Sequence, residues 1–389
     1  MSRNRTPTLL AAAFTLALVA GACSSNSTQT SGGSNAPAAS GAQSLKGVCP
    51  DPVVVQTDWW PEPEHGATYQ LLGAGYKLDT AKKRVTGPLV TQGKDTGVKI
   101  EVRAGGPAIG FQQTSAQMYL DKSITLGFVF TDSAVQFSAK QPTLAVVTPL
   151  DINPQMIMWD PKVHPDFHTI ADIGQTDTKV LYFKGATYMD YLIGSGILRK
   201  NQVDGSYTGA PDRYVGSGGK VAQQGFATSE PFIYQNELPQ WKKPVAFQLI
   251  NDTGYPVYAS ALSIRPADKS QLSSCLQRLV PMFQQAQIDY VKNPDAVNKL
   301  VVQLNKDYKS EYPMDEGLAQ FTATQEVKLG IVGNGTDKTL GNFDIARIKR
   351  TIDIVGPIYA AQKQPVKAGL QPQDIATNDF INPAIGLTQ

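Results

Sequence analysis

Apolar and polar positions along the chain switch repeatedly between two periods. Short runs rich in β-branched and aromatic residues predict strands at Val53–Gln56, Val98–Arg103, Thr125–Phe130, Thr143–Thr148, Thr178–Phe183, Val245–Ile250 and Val257–Ile264. Helical spacing predicts helices at His65–Gly73, Phe111–Leu120, Asp132–Ser138 and Met189–Lys200, then at Lys269–Lys292, Pro294–Lys306 and Ile345–Val355. This alternation implies an α/β fold with largely parallel sheets covered on both faces. Pro149–Pro154 and Asn251–Gly254 each follow a strand and bracket a block with its own strand–helix alternation. The simplest topology is a second lobe, 151–251, inserted into a first lobe formed by 47–150 and 252–389. Two ordinary surface loops of a single sheet are the other reading.

The first residues change the compartment. Arg3 and Arg5 precede an apolar run, Leu9–Ala20, that ends in small residues before Cys23. That is the layout of a signal peptide over 1–22, and the run is too short for a membrane-spanning helix. Ala20-Gly21-Ala22-Cys23 resembles a bacterial lipobox, which makes Cys23 the expected lipidated residue; Ala20 stands where Leu is usual, and a plain secreted form is the alternative. Residues 23–46 are mostly Ser, Gly, Ala, Asn and Gln, with little to bury, and read as a flexible tether. Cys49 and Cys275 then lie in an oxidising compartment, where a disulfide is plausible and would contribute roughly 4–5 kcal/mol; two separate buried thiols are the other reading.

Composition narrows the chemistry. Lys and Arg number 35 against 33 acids, and Arg3 and Arg5 leave with the signal peptide, so the rest is balanced. That argues against nucleic acid as a partner and makes membrane attachment depend on lipid. Three histidines and three cysteines disfavour a metal centre or a disulfide scaffold, and no metal or cofactor is expected. His164 and His168 are spaced as a helical metal pair, but Pro165 interrupts the helix. Gly216–Lys220 lacks the first glycine and the Ser/Thr of a phosphate loop, and no G-x-S-x-G elbow occurs.

The densest signal is Asp58-Trp59-Trp60-Pro61-Glu62-Pro63-Glu64-His65-Gly66, directly after the first strand of the body. Ligands of open α/β sheets bind beyond the carboxyl ends of strands. Tryptophans offer flat faces to planar or cationic solutes, and the prolines stiffen the loop. Trp59-x-Pro61-x-Pro63-x-His65 followed by Gly73–Lys77 resembles the opening of the thiamin pyrimidine precursor synthase-like family. Its bacterial members are solute-binding proteins of ABC importers related to nitrate, sulfonate and taurine binders. Thr169–Gly174 with Lys179–Phe183, Gly225–Pro231 and Lys292–Ala296 agree with that resemblance.

The resemblance implies a two-lobe periplasmic-binding-protein fold (type II-like), a hinged interlobe cleft and an ABC permease partner. It places Trp59, Trp60 and His65 on the cleft from lobe one, and the loop acids Glu62 and Glu64 are expected beside them. From lobe two it offers Lys184, Gly185, Thr187 and Tyr188 at a helix N-terminus, with Thr228, Ser229 and Glu230; Tyr255 follows the second crossing. The synthases carry a cysteine-rich segment where this chain has Asn251–Ala259 without cysteine, so binding is expected and not catalysis. The expected protein is a monomeric, extracytoplasmic lipoprotein capturing a small polar, ring-containing solute by hinge closure. A sulfonate-, taurine- or nitrate-type binder, a secreted synthase-like enzyme using His65, and a surface interaction protein without a small ligand are the alternatives.

Overall fold

The structure, a computed structural model, describes residues 36–388. The expected signal peptide and the Cys23 lipidation site lie outside the described residues. Among the described residues, twelve strands form two sheets. They are β1 (Val53–Gln56), β2 (Lys77–Asp79), β3 (Arg84–Thr91), β4 (Lys94–Arg103), β5 (Leu126–Val129), β6 (Leu144–Val147), β7 (Gln155–Trp159), β8 (Val180–Leu181), β9 (Val203–Asp204), β10 (Ala222–Phe226), β11 (Ala246–Leu249) and β12 (Ala261–Ile264). The first sheet has the order β2-β3-β4-β1-β5-β12-β6, the second β11-β7-β10-β8-β9. The chain therefore passes between sheets twice, through 148–154 and through 250–260.

Both sheets are mixed, which corrects the expectation of largely parallel pairing. In the first, β1 runs parallel to β4 and β5, while β2, β3, β6 and β12 join antiparallel. The cause is local at β3–β4. Gln92 and Gly93 both have positive φ (47° and 73°), the backbone of a two-residue hairpin turn, which returns the chain beside itself. In the second sheet, β7 pairs antiparallel with β10 and β11.

The tether boundary also needs correction. Leu45 is fully buried, its N–H donates to Thr96 O at 2.8 Å, and Arg278 Nη1 donates to Ser44 O at 2.7 Å. A leucine that buries its side chain is packed chain, not linker. Cys49 and Cys275 Sγ are bonded, tying this segment to the helix Lys269–Lys292.

The C-terminal helices hold the two sheets together. Ile345–Ala361 lies against helices of both: Tyr359 OH donates to Asp132 O (3.1 Å) and accepts from Thr187 Oγ1 (2.8 Å). Glu316–Lys328 also meets the second lobe: Thr322 Oγ1 donates to Thr228 O (2.8 Å) and Phe321 packs on Phe232. Among the described residues no helix is long and apolar enough to cross a membrane.

Candidate functional site

The loop after β1 is built by hydrogen bonds to the end of β4. Thr57 Oγ1 donates to Trp59 O (2.8 Å) and Arg103 O (3.0 Å), and Gly105 N–H donates to Trp59 O (2.8 Å). Gly106 holds φ +54°, and a Cβ there would stand 2.5 Å from the Trp59 ring, so only glycine lets the indole lie flat on this turn. Asn305 Nδ2 anchors the far side of the loop by donating to Pro61 O at 2.6 Å.

This loop closes one wall of a cavity of about 290 Å³ between the sheets. Asp58, Trp59, Glu62 and Glu64 come from the loop, and Phe130 and Ser260 from the ends of β5 and the approach to β12. The facing wall comes from the second sheet: Gln155 on β7, Gln224 and Phe226 on β10, then Ser229 and Glu230, with Phe183 and Tyr207 behind. Tyr312 closes one side, its OH donating to Ser229 Oγ at 2.9 Å. The walls touch where Thr228 Oγ1 donates to Glu64 Oε1 at 2.6 Å. A wider outer groove of about 490 Å³ shares Trp59, Tyr207, Glu230 and Tyr312 and adds Trp60 and the exposed Phe111, whose ring centroid is 5.9 Å from that of Trp59.

The site is acidic. Among the described residues its lining includes four carboxyl groups and no Lys or Arg. Asp58 is fully engaged: His65 Nε2–H donates to Oδ1 (2.8 Å) and Ser260 Oγ to Oδ2 (2.6 Å). Burial pushes the Glu62 carboxyl well above the ordinary carboxylate range, and the charges of Glu64 and Asp58 push the same way. Burial also raises Glu64, against the Thr228 hydrogen bond. Glu230 is pushed up to about 7 by burial, although the Phe226 N–H at 2.6 Å favours its ionised form. Behind the wall, Glu326 is fully buried with neither oxygen hydrogen-bonded among the described residues, and burial, then Glu64, raises it strongly.

Trp59, Glu64, Ser229 and Glu230 therefore line the cavity, with Thr228 immediately behind it. The other expected site residues stand elsewhere. Trp60 is 8% exposed and packs into the core, reaching only the outer groove. His65 is sealed behind Asp58 against the Phe128 ring. Lys184 and Gly185 are exposed outside the cavity lining. Thr187, Tyr188 and Tyr255 turn inward, where their hydroxyls find partners in Tyr359 OH, Gln224 Oε1 (2.5 Å) and Asp132 Oδ2 (2.8 Å). Sequence reading missed Phe130, Phe183, Tyr207, Gln224, Ser260 and Tyr312 as site residues. Phe130 and Phe183 are the last residues of strands it did predict, so the strand-end rule applied to Asp58 would have found both.

One group of possible metal ligands exists among the described residues: an oxygen each from Asp58 and Glu62 and a nitrogen of His65 lie within 4.8 Å of one another.

Two lobes, two chain crossings and a cavity between the sheets define the periplasmic-binding-protein fold. No family model matches the chain, and no curated protein matches it in sequence. Solved structures do. The alkanesulfonate-binding protein SsuA of Xanthomonas axonopodis pv. citri, bound to MOPS, is similar with TM-score 0.52 and 11% identity, over 85% of this chain and 99% of its own. The periplasmic aliphatic sulphonate binding protein SsuA of Escherichia coli is similar with TM-score 0.53 and 14% identity, over 83% and 94%. At such identities the likeness is one of fold.

Proposed function

We propose that this chain is the extracytoplasmic solute-binding component of an ABC importer, taking up a small polar, ring-containing solute without chemical conversion. The observation that carries the reading is the aromatic and polar cavity whose walls come from both sheets. A solute there touches both lobes, 47–150 with 252–389 and 151–251, and so favours the state in which they are closed. Segments 148–154 and 250–260 are the hinges of that motion. The protein acts as a monomer, held to the membrane by lipid on Cys23, and delivers its solute to a permease.

A sulfonate or nitrate binder is the alternative suggested by fold likeness, but a bare anion in this cavity meets four carboxyl groups and, among the described residues, no Lys or Arg. The synthase-like alternative asks for a solute in contact with His65, which is fully buried. Mass spectrometry of small molecules released from purified protein tests the reading, with thermal shift against pyrimidines, flavins, taurine and nitrate. A ring compound released intact and raising the melting temperature supports it. Taurine or nitrate as the stabilising solute, turnover, or covalent change at His65 would overturn it.

A further inference from the structure

We propose that the solute is a planar organic cation, its charge set against Glu62, Glu64 and Glu230 and its ring against the aromatic walls. The inference rests on the solute-binding reading and adds the sign of the charge. Three carboxyls present unused acceptor capacity to one cavity. Glu62 has no donor among the described residues closer than His65 Nε2 at 3.5 Å, Glu64 uses only Oε1, and Glu230 only Oε2. Among the described residues no Lys or Arg of the lining neutralises them. Buried acids without cations are unfavourable unless something else supplies the charge, or they stay protonated.

The second observation is independent of charge. Trp59, Phe130, Phe183, Tyr207, Phe226 and Tyr312 surround the same space. Aromatic faces attract cations and stack on flat rings. An amidinium or protonated aminoheterocycle satisfies both features: N–H donors in the plane meet open carboxylate oxygens, and the two faces of the ring meet aromatic side chains. At about 290 Å³ the space suits one ring with small substituents. A metal ion at Asp58, Glu62 and His65 would use the acids but none of the six rings.

The test is a charge series on a constant ring: benzamidine, benzamide and benzoate, titrated calorimetrically into purified protein, with zinc chloride as a separate arm. Benzamidine is expected to bind at least ten-fold tighter than benzamide, and benzoate not measurably. Glu62→Gln is expected to weaken benzamidine about ten-fold and benzamide by clearly less. Because it removes a carboxyl set among other acids, it should melt no lower than wild type, which separates lost binding from misfolding. Benzamide or benzoate binding as well as benzamidine overturns the cation inference and leaves the solute-binding reading standing. Zinc binding lost in His65→Gln, with no benzamidine response, overturns the inference in favour of a metal site. No response to any ring compound, together with no small molecule released from the protein, removes both readings.

Discussion

Thr228 Oγ1 donates to Glu64 Oε1 at 2.6 Å across 164 residues of sequence, joining the loop after β10 to the loop after β1 with both residues buried. The bond spans the two sheets at the wall of the cavity, so under the proposed hinge motion it is a contact that opening would break. Thr228→Val keeps the shape and removes the donor, leaving a buried carboxyl short of a partner. The expected cost is about 1–3 kcal/mol. It should fall on closure, giving a lower melting temperature and a larger radius of gyration by solution scattering. An unchanged radius with lower stability would mean that the bond serves packing alone.

Stability should rise on mild acidification. Glu230 has its pKa pushed from an ordinary 4.5 to about 7 by burial, and Glu62, Glu64 and Glu326 are raised in the same direction. The groups that feel the Glu230 charge are acids and phenols: Glu62, Glu64, Tyr207, Tyr234 and Tyr312. A raised carboxyl binds its proton more tightly when folded. Its stabilisation is complete below the unfolded pKa and is lost as pH climbs through about 7. Glu230 alone should contribute about 2 kcal/mol more at pH 5 than at pH 8. Asp121 and Asp204, lowered to about 2 by neighbouring hydroxyl and arginine donors, act oppositely and only below about pH 4. Melting curves should therefore peak between pH 4 and 6, and Glu230→Gln should flatten the alkaline side.

Reducing Cys49–Cys275 should destabilise the chain through its unfolded state. The bridge closes a loop with a sequence separation of 226, worth about 5 kcal/mol in the chain-entropy account. Cys275 is fully buried, so Cys275→Ser adds a poorly placed hydroxyl to the core. Cys49→Ser, at the less buried end, is the cleaner variant. Its melting temperature should match that of reduced wild type and be insensitive to reductant.

Much of the first sheet was legible because its strands are short apolar runs; Val53–Gln56 coincides with β1. The centre of the second sheet was not. β10 reads Ala-Gln-Gln-Gly-Phe, and its buried glutamines look like loop composition until their partners are known. Gln223 Nε2 donates to Tyr234 OH, and Gln224 Oε1 accepts from Tyr188 OH and Phe183 N–H. The helix Glu316–Lys328 escaped for a related reason: it buries Glu326 and Thr322, so its inner face does not look apolar. In the cavity, the Asp58–Gly66 loop was legible because its position follows from a strand end. Lys184–Tyr188 resembled a ligand-facing helix start, but the orientation of Thr187 is decided by Tyr359, 172 residues away. Local sequence carries no record of such a partner.

Glycine at 225 should be required for the position of Glu230. A Cβ there would stand 2.9 Å from the Glu230 Cδ and Cγ, on the strand whose next amide holds that carboxylate. Gly225→Ala is expected to push Glu230 out of the cavity, raising Kd for a bound solute several-fold. The fold should survive, because Glu230 is a side chain that can move. A Gly225→Ala protein that binds normally would place Glu230 outside the recognition surface.

The adjacent tryptophans should separate recognition from stability. Trp59 is half-buried, faces the cavity and rests on the Gly106 turn, whereas Trp60 is 8% exposed within the core. Trp60→Ala leaves a large cavity in packed surroundings and should cost about 3–5 kcal/mol, with a corresponding fall in melting temperature. Trp59→Ala removes a face that is partly in contact with solvent, so its stability cost should be the smaller of the two, while its effect on Kd should exceed ten-fold. The quenching of intrinsic fluorescence by bound solute should disappear in Trp59→Phe. Equal loss of binding in both variants, scaling only with lost stability, would show that neither indole reads the solute.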